Sequence, residues 1–328
     1  MPYRSGINKK QLVSDPFEID MDRLSEKMII KAEAEKLGFC FSGFTFPGTP
    51  DHFFRYLDWI DSGFYAGMNY LARADHIEKR ENPLLIYPEC RTILVLGVSI
   101  RHDFPQSDFS AASFAHYWDY HDQIRELCEK LLSIVSEKIQ KPVNRKICVD
   151  SSPVLERSLA VQAGLGWIGR NSMLIHPIFG STTLLAECFL DLELEPDESY
   201  SADRCGKCFK CSSACPTQCI DPETRTIDAK RCVSYQTIEN RGNIDPEIAA
   251  MCGNKIFGCD ICVQVCPWNR KNLSNRTPLR THDILIGDTS DLNLSDLEFF
   301  EKYRGTPVVR QKNSGWKRNL INSIENRK

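Results

Sequence analysis

Two runs of cysteines in the second half of the chain constrain its fold more than any other feature. The first run, from Cys205 to Pro216, reads Cys-x2-Cys-x2-Cys-x3-Cys-Pro, and the second, from Cys259 to Pro267, reads Cys-x2-Cys-x3-Cys-Pro. In proteins with two 4Fe-4S clusters, closely spaced thiolates wrap one cluster, and the thiolate before the proline binds the other. The spacing therefore predicts two clusters and a role in moving single electrons.

The two runs supply seven thiols, whereas two clusters with four cysteine ligands each require eight. Spacing assigns four thiols to a first cluster: Cys205, Cys208, Cys211 and Cys266. It assigns three to a second cluster: Cys215, Cys259 and Cys262. For the missing ligand, spacing alone leaves three candidates open: Cys219, Cys232 and Cys252. A zinc site is not favoured, because zinc modules separate their Cys-x2-Cys pairs by about a dozen or more residues.

The rest of the composition is typical of a cytoplasmic globular protein. The chain has 328 residues, of which 42% are hydrophobic, and a net charge of −3, which fits two domains and argues against a bulk polyanion binder. No apolar signal core follows Met1, and no run of about 18 apolar residues predicts a membrane span. Clustered thiols in a reducing compartment indicate metal or redox work. Isolated cysteines are expected to be small buried hydrophobic residues: Cys40, Cys90, Cys128, Cys148 and Cys188.

Periodicity predicts that helices and strands are mixed through residue 195. Helices are expected over 25–37 and 121–140, and strands over 92–100 and 184–194. Ser25 is the expected N-cap of the first helix, and Gly38 its end. This mixture favours an α/β or α+β domain, with the acidic segment Glu195–Ser199 as the boundary before the cysteine region.

The segment Gly164–Gly169 has the letters of a GxGxxG loop but not its setting. A dinucleotide site requires that loop to follow a strand and to open a helix. Here a helix is expected over 155–163 and a strand over 173–175, which is the reverse order. The glycines are therefore expected to allow close backbone approach to a core neighbour or to another flat cofactor.

Two polar stretches offer candidates for proton chemistry. Asp150 is a candidate acid, although its stretch also fits a helix start, with Ser152 as the cap and Pro153 at the first helical position. Asp119–His121 begins like the Asp-x-His-x-x-Gly motif that gives cobalamin a histidine ligand. Because Ile124 replaces the glycine, the histidine of that stretch is expected to be structural.

The end of the chain is locally basic. Residues 301–328 hold eight Lys or Arg against two Glu, although the whole chain is negative. A solvated helix and a phosphate-contacting segment both fit this pattern.

These segments together resemble the epoxyqueuosine reductases, cobalamin-dependent iron–sulfur enzymes of tRNA queuosine synthesis. The resemblance covers about residues 25–320 and rests on motifs in one order: 78–85, 119–121, 149–157, 163–169, both cysteine runs, 231–235 and 256–260. It implies a cobalamin-binding catalytic domain over 1–195 and a ferredoxin-like domain with two 4Fe-4S clusters over 196–275. A basic, helical C-terminal segment over 276–328 would follow.

The resemblance also implies the reaction and the site. The epoxide of epoxyqueuosine would be reduced to the alkene of queuosine at the wobble base of tRNAs for Asp, Asn, His and Tyr, the last step of queuosine synthesis. Two clusters would cycle cob(II)alamin through Co(I), and Asp150 would donate a proton, its pKa raised by burial against the corrin. The implied cobalamin contacts are Arg80, Asp150, Arg157, Asn171, Ser172, Met173 and Ser234. The family pattern assigns Cys232 as the last ligand of the second cluster and leaves Cys219 and Cys252 free.

The same resemblance implies partners. The tRNA phosphates would meet basic residues of the tail: Arg310, Lys312, Lys317 and Arg318. A flavodoxin or ferredoxin would supply electrons to a monomer. The chain departs from many relatives by an apparent deletion before Asp119–His121 and by ending soon after Asn319, where others continue into helical repeats.

Two alternatives remain on the residues alone. Reductive dehalogenases also pair cobalamin with two clusters, but they commonly carry a twin-arginine export signal, which is absent here. A ferredoxin-type electron carrier fused to another domain is the non-enzymatic alternative.

Overall fold

The computed structural model of the chain describes residues 21–101, 104, 108–271 and 277–327. Its helices are α1 (Met21–Leu37), α2 (Phe53–Asp61), α3 (Ala74–Glu81), α4 (Tyr120–Ile139), α5 (Glu156–Gln162), α6 (Lys210–Ala214), α7 (Val233–Ile238), α8 (Pro246–Met251), α9 (Ile261–Gln264), α10 (Asp296–Tyr303) and α11 (Lys312–Glu325). Short 3₁₀ helices lie at Pro83–Leu85, Ser113–His116, Pro267–Lys271, Thr289–Asn293 and Pro307–Gln311. Its strands are β1 (Phe41–Thr45), β2 (Thr92–Ser99), β3 (Ser110–Ala111), β4 (Arg145–Cys148), β5 (Trp167–Ile168), β6 (Leu174–Ile175), β7 (Thr183–Leu190), β8 (Ile220–Asp221), β9 (Thr226–Ile227) and β10 (Lys255–Phe257).

A four-stranded sheet with the order β1-β2-β7-β4 forms the centre of the first part of the chain. Every neighbouring pair in it is antiparallel; β2 and β7 pair along their whole length, from Thr92 opposite Leu190 to Ser99 opposite Thr183. The predicted mixture of helices and strands is confirmed, and its antiparallel sheet makes it the α+β case. Within the described ranges, none of the helices combines the length and apolar character that a membrane crossing requires.

Helices cover both faces of this sheet. On one face Leu94, Leu96 and Val98 of β2 pack in a core with α1 and α4, whereas Ile93 and Val95 point to a second core that includes α5. All of β2 is buried as a result. The strand predicted over 184–194 is confirmed up to Leu190, where β7 ends.

Two predicted helix caps are wrong. Helix α1 begins at Met21, so Ser25 lies within it and not at its cap, although Gly38, with a φ of +97°, does follow its last residue. Helix α5 begins at Glu156, not at Pro153. The backbone before α5 turns tightly instead, with Asp150 at a φ of +54° and the Val154 N–H donating to the Ser152 carbonyl.

The glycine-rich segment forms the hairpin β5–β6, in which Trp167 pairs with Ile175. Gly166 has a φ of +149°, and a Cβ placed on it would lie 2.2 Å from the Ile175 carbonyl oxygen. Only glycine tolerates both the conformation and the contact. The prediction of close backbone approach to a core neighbour is confirmed, and the segment is not a dinucleotide loop.

The parts of the chain are tied together by specific contacts. Asp197, in the predicted boundary segment, binds Lys27 and Lys31 of α1 and accepts the Phe44 N–H at 3.0 Å. Strand β3 pairs in parallel with β10, and α10 and α11 enclose a third core around Trp316, as expected for a helical C-terminus. The boundary expected between residues 275 and 276 lies outside the described residues.

Candidate metal centres and catalytic cleft

The four thiols predicted for the first cluster surround one cavity. Its volume is about 300 Å³, and the side chains that line it include Cys205, Cys208, Cys211 and Cys266. Helices α6 and α9 pack together and bring the two cysteine runs side by side. Burial raises the pKa of Cys266, and the nearby thiols of Cys205, Cys211 and Cys208 raise it further. The local spacing and the packing of the two runs therefore produce one donor set.

This cavity is suited to an anionic group. Arg170, Arg204 and Lys210 line it together with the thiols. The Trp167 indole N–H also points to the Cys205 sulfur, at 3.4 Å. Cations and N–H donors stabilise thiolates and the charge of an iron–sulfur cluster. In the described part of the chain, no three His, Cys, Asp or Glu side chains converge on a single metal ion; these four thiols are spaced around a larger volume instead.

The thiols predicted for the second cluster also face one another. Burial raises the pKa of Cys262, and the thiols of Cys259, Cys232 and Cys215 raise it further. Cys232 stands at the N-cap of α7, and Cys262 lies in α9. These four residues are the set that the family resemblance implies.

The two remaining candidates differ in position. Cys219 is buried, with its sulfur 3.5 Å from that of Cys215, and it also contacts the thiol of Cys232. Cys252 is buried in an apolar group with Val233 and Ile248, and Cys259 packs against that group. Cys219, which spacing left open as a ligand candidate, is thus an additional thiol beside the second donor set.

Asp150 lies exposed on the loop that follows β4, in a group of polar side chains called the cleft below. Its side chain is 59% exposed, and its Oδ2 accepts hydrogen bonds from the Tyr120 hydroxyl at 2.8 Å and from His121 Nε2 at 3.1 Å. Its backbone N–H donates to Glu156 Oε1 at 2.7 Å. The other ring nitrogen of His121 is 2.7 Å from Asp119, which caps α4. The histidine that was expected to be structural therefore contacts the candidate acid.

Hydrogen-bond partners set the protonation of this pair, whereas the expected rise in the pKa of Asp150 concerns burial against a corrin. Burial does raise it, but the hydrogen bonds from His121 and Tyr120 outweigh burial and hold the pKa of Asp150 below its usual value. For His121, burial lowers the pKa, but the hydrogen bonds to Asp119 and Asp150 outweigh it and raise the pKa to about 9. At neutral pH the pair is therefore a histidinium beside a carboxylate.

The wall of the cleft is formed by groups from distant elements. Tyr70 is 41% exposed and lies within electrostatic range of Asp150, Arg80 and Arg310. Arg80 itself is buried, 5.3 Å from the centre of the Tyr56 ring, and donates to the His76 carbonyl at 3.2 Å. The structure thus places Arg80 behind the cleft surface.

The loop Asn171–Met173, which holds three of the predicted cobalamin contacts, is connected to the second thiol set. Exposed Arg157 donates to the Ser172 carbonyl, and Asn171, 2% exposed, donates to the Cys262 carbonyl at 3.4 Å. Met173 completes this loop, with its N–H 3.4 Å from the Asn171 amide oxygen. Ser234 stands in the first turn of α7, close to Cys232. The loop therefore joins the cleft to the cysteine region.

The four basic tail residues are not equivalent. Arg310 pairs with Glu239, with 3.1 Å between its Nη2 and the carboxylate, and lies within electrostatic range of Asp150. Arg318 donates to the carbonyls of Gln236 and Asn240. The Lys312 side chain is exposed and that of Lys317 is half-buried. Arg310 and Arg318 are therefore engaged within the protein.

Sequence reasoning missed Tyr70, Glu156 and Glu187 as parts of this site. Glu187 carried a usable signal, since it is a charged residue inside the apolar strand β7. Its carboxyl is fully buried and lies against that of Glu156. Tyr70 had no comparable pattern around it.

Comparison with known proteins agrees with this geometry. Residues 204–269 match the family model of a 4Fe-4S double cluster binding domain. The epoxyqueuosine reductase of Pseudomonas aeruginosa is 33% identical over 322 residues, which cover 94% of this chain and 86% of that protein.

Solved structures give the same result. A crystal structure of an epoxyqueuosine reductase with an epoxyqueuosine-modified tRNA-Tyr stem loop superposes with a TM-score of 0.80 at 27% identity, covering 92% of this chain and 81% of that one. The Bacillus subtilis enzyme, solved with its catalytic aspartate loop swung out of the active site, gives a TM-score of 0.79 at 26% identity and covers 92% and 82%. These relatives do not favour the dehalogenase or electron-carrier alternatives. The chain belongs to the epoxyqueuosine reductase family.

Proposed function

We propose that this chain reduces epoxyqueuosine to queuosine in tRNA, with Asp150 as the proton donor. The likeness to epoxyqueuosine reductases over 94% of the chain, and the relative solved with its modified stem loop, support the reaction. The observation that carries the role of Asp150 is its position, exposed at the floor of a cleft and hydrogen-bonded to a protonated histidine.

The reaction sets the requirements for the site. Converting an epoxide to an alkene breaks both C–O bonds, releases the oxygen as water, and consumes two electrons and two protons. Two iron–sulfur clusters supply electrons one at a time. In the proposed assignment, Cys205, Cys208, Cys211 and Cys266 bind the first cluster. Cys215, Cys232, Cys259 and Cys262 bind the second.

Cobalamin is the proposed second cofactor. The exposed side chains of Asp150 and Arg157, beside the half-buried Ser172 and Met173 of the adjoining loop, offer polar groups to a large flat ligand with amide substituents. Ser234 and Arg80 complete the proposed contacts. Bound there, cobalamin supplies a cobalt centre that takes up single electrons and becomes strongly nucleophilic.

The residues of the cleft account for one of the two protons, the one that goes to the epoxide oxygen as the first C–O bond breaks. Tyr120 and His121 orient the Asp150 carboxylate, and His121 holds the proton between them. A neutral pair is favoured once substrate and cofactor exclude water, because separated charges are costly in a low-dielectric site. The proton then resides on Asp150, which delivers it to the epoxide oxygen and makes that oxygen a better leaving group.

The tRNA is proposed to approach from the C-terminal side of the cleft. Arg310 lies at the cleft, and the exposed Lys312 is near it in the chain. Such residues position a nucleic acid through its phosphates, and the modified base must leave its stack to reach the cleft. We further propose that the protein acts as a monomer in the cytoplasm and takes electrons from a flavodoxin or ferredoxin.

The test is anaerobic reconstitution with iron, sulfide and cobalamin, followed by mass spectrometry of nucleosides from tRNA carrying epoxyqueuosine. We expect queuosine to form with reduced protein and stoichiometric corrinoid to copurify. Unconverted epoxyqueuosine with both cofactors bound would rule out the activity. Absence of bound corrinoid would rule out the proposed cofactor.

A further inference from the structure

A buried acid lies beneath the catalytic loop. Glu187 sits in the middle of β7, opposite Val95 of β2 and Cys148 of β4. It is 0% exposed, and among the described residues neither of its carboxyl oxygens has a hydrogen-bond donor. An ionised carboxylate in such a position is very costly. Glu187 therefore has to be neutral in the folded protein.

The groups that face Glu187 support the same protonation state. The principal ones are the Glu156 carboxyl, the Cys128 thiol and the Asp150 carboxyl, and each is an acid. Burial and the Glu156 carboxyl are the largest causes that raise the pKa of Glu187 well above its usual value. A neutral carboxyl has one O–H to donate, and Glu156 is the acceptor that lies against it.

Glu156 connects this acid to the catalytic loop. Its Oε1 accepts the backbone N–H of Asp150 at 2.7 Å. The charged groups around it are Asp150, Arg157 and His121, and burial followed by the Asp150 carboxylate raises its pKa to about 7. Two carboxyl groups in such contact share one proton, as in other paired acids. The result is a chain from Glu187 through Glu156 to the Asp150 amide.

The catalytic loop needs such an anchor. Asp150 has a φ of +54°, a left-handed conformation that residues with a Cβ adopt only when their surroundings hold them. The loop of the Bacillus subtilis relative has been seen swung out of its active site. The position of Asp150 thus depends on the contacts that hold its backbone.

We propose that Glu187, as a neutral buried acid, positions the catalytic loop by donating its proton to Glu156, which in turn holds the backbone amide of Asp150. Glu187 is a positioning residue and does not touch the substrate. The consequence for catalysis rests on the proposed role of Asp150, whereas the anchoring of the loop does not.

Two substitutions of similar volume separate this role from its alternatives. Glu187→Gln keeps a donor towards Glu156 and carries no charge, whereas Glu187→Met removes the donor. Hydrogen exchange of residues 149–154 is measured in the cluster-loaded protein without cobalamin, alongside kcat and KM for the modified tRNA. We expect Glu187→Gln to stay within about 3-fold of the unsubstituted protein, and Glu187→Met to raise loop exchange and lower kcat by about 10-fold or more, with little change in KM.

Either of two results would overturn the proposal. If Gln is as damaging as Met, Glu187 has to lose or transfer its proton; if Met is as benign as Gln, Glu187 anchors nothing. Should Glu187→Met fail to fold, infrared spectroscopy decides: a neutral carboxyl band present at neutral pH and lost in Glu187→Gln is expected, and its absence contradicts the proposal. The exchange and infrared results need no substrate, so they stand or fall separately from the reductase activity.

Discussion

The cysteine region and the sheet region hold their functional side chains in different ways. In the cysteine region α6 and α9 have five and four residues, and the apolar groups beside the thiols are small. In the sheet region the Asp150 loop leaves a strand that is covered by two extensive cores. One region is made of elements too short to be stable alone, and the other carries its site on a stable scaffold.

This difference indicates what stabilises each region. In a region without a preformed core, the free energy of metal binding contributes directly to the free energy of folding. The thiols of the cysteine region should therefore need their clusters to stay in place. The Asp150 loop should keep its position without any cofactor, because hydrogen bonds among Tyr120, His121, Asp150 and Glu156 already hold it.

The largest effect should follow from loss of a cluster ligand. We expect Cys232→Ser to lower bound iron from about eight to about four atoms per chain, because the second cluster loses a thiolate. Hydrogen exchange should increase within 204–269 and remain slow in β2 and β7. Cys219→Ser is the matched control, since Cys219 touches the same thiols. Full iron in Cys232→Ser together with loss in Cys219→Ser would reverse the ligand assignment.

Substitution of the acid should leave both regions folded. We expect Asp150→Asn to lower kcat by about 10²- to 10⁴-fold, the usual contribution of a general acid. Iron content and the melting temperature should change little, because the side chain is exposed. Asp122→Asn, on the exposed start of α4, should retain activity in single-turnover assays. Equal turnover in Asp150→Asn would remove Asp150 from the acid role.

A smaller effect should distinguish His121 by its pH dependence. Its pKa in the folded protein, about 9, is raised above the ordinary 6.5. The stability that it contributes is therefore complete below about 6.5 and is lost as the pH rises through 9, and activity should decline over the same range. We expect His121→Gln to cost about 10-fold in kcat at neutral pH and to abolish this alkaline decline. An unchanged pH profile in the variant would assign the decline to another group.

Substitutions in the C-terminal helix should have the smallest effects. One should lower stability, and the other should weaken tRNA binding. Arg318→Met removes hydrogen bonds to the carbonyls of three residues, Gln236, Asn240 and Gly242, and should destabilise the protein by about 1–3 kcal/mol, measured by denaturant unfolding. Lys312→Ala should leave stability unchanged and lower the salt dependence of tRNA binding by about one phosphate contact. If both variants affect only stability, the helix does not contribute to the tRNA surface.

Sequence reasoning succeeded where local spacing decides the structure. Four thiols of the two cysteine runs line one cavity, Gly38 follows the last residue of α1, and the apolar run of β2 forms a buried strand. Each of these depends on neighbours in the chain. For such features the structure added distances but no new residues.

It failed where distant elements decide the structure. Ser152 was a predicted N-cap, but the backbone turns after it, and the helix begins only at Glu156. Spacing gave no sign that Tyr120 and His121, about thirty residues earlier in the chain, hydrogen-bond Asp150 and lower its pKa. Glu187 lies against Glu156 only because β7 and α5 pack together. No local pattern contains that information.

The contact of Asn171 with the Cys262 carbonyl suggests an order of maturation. The loop that follows Asn171 reaches Arg157 through Ser172, so one wall of the cleft is attached to a cysteine backbone. Until iron and sulfide order the Cys262 backbone, the loop that forms this wall lacks a fixed hydrogen-bond partner. We therefore expect cluster insertion to precede binding of the proposed corrinoid, so that a chain lacking its second cluster also binds a corrinoid poorly.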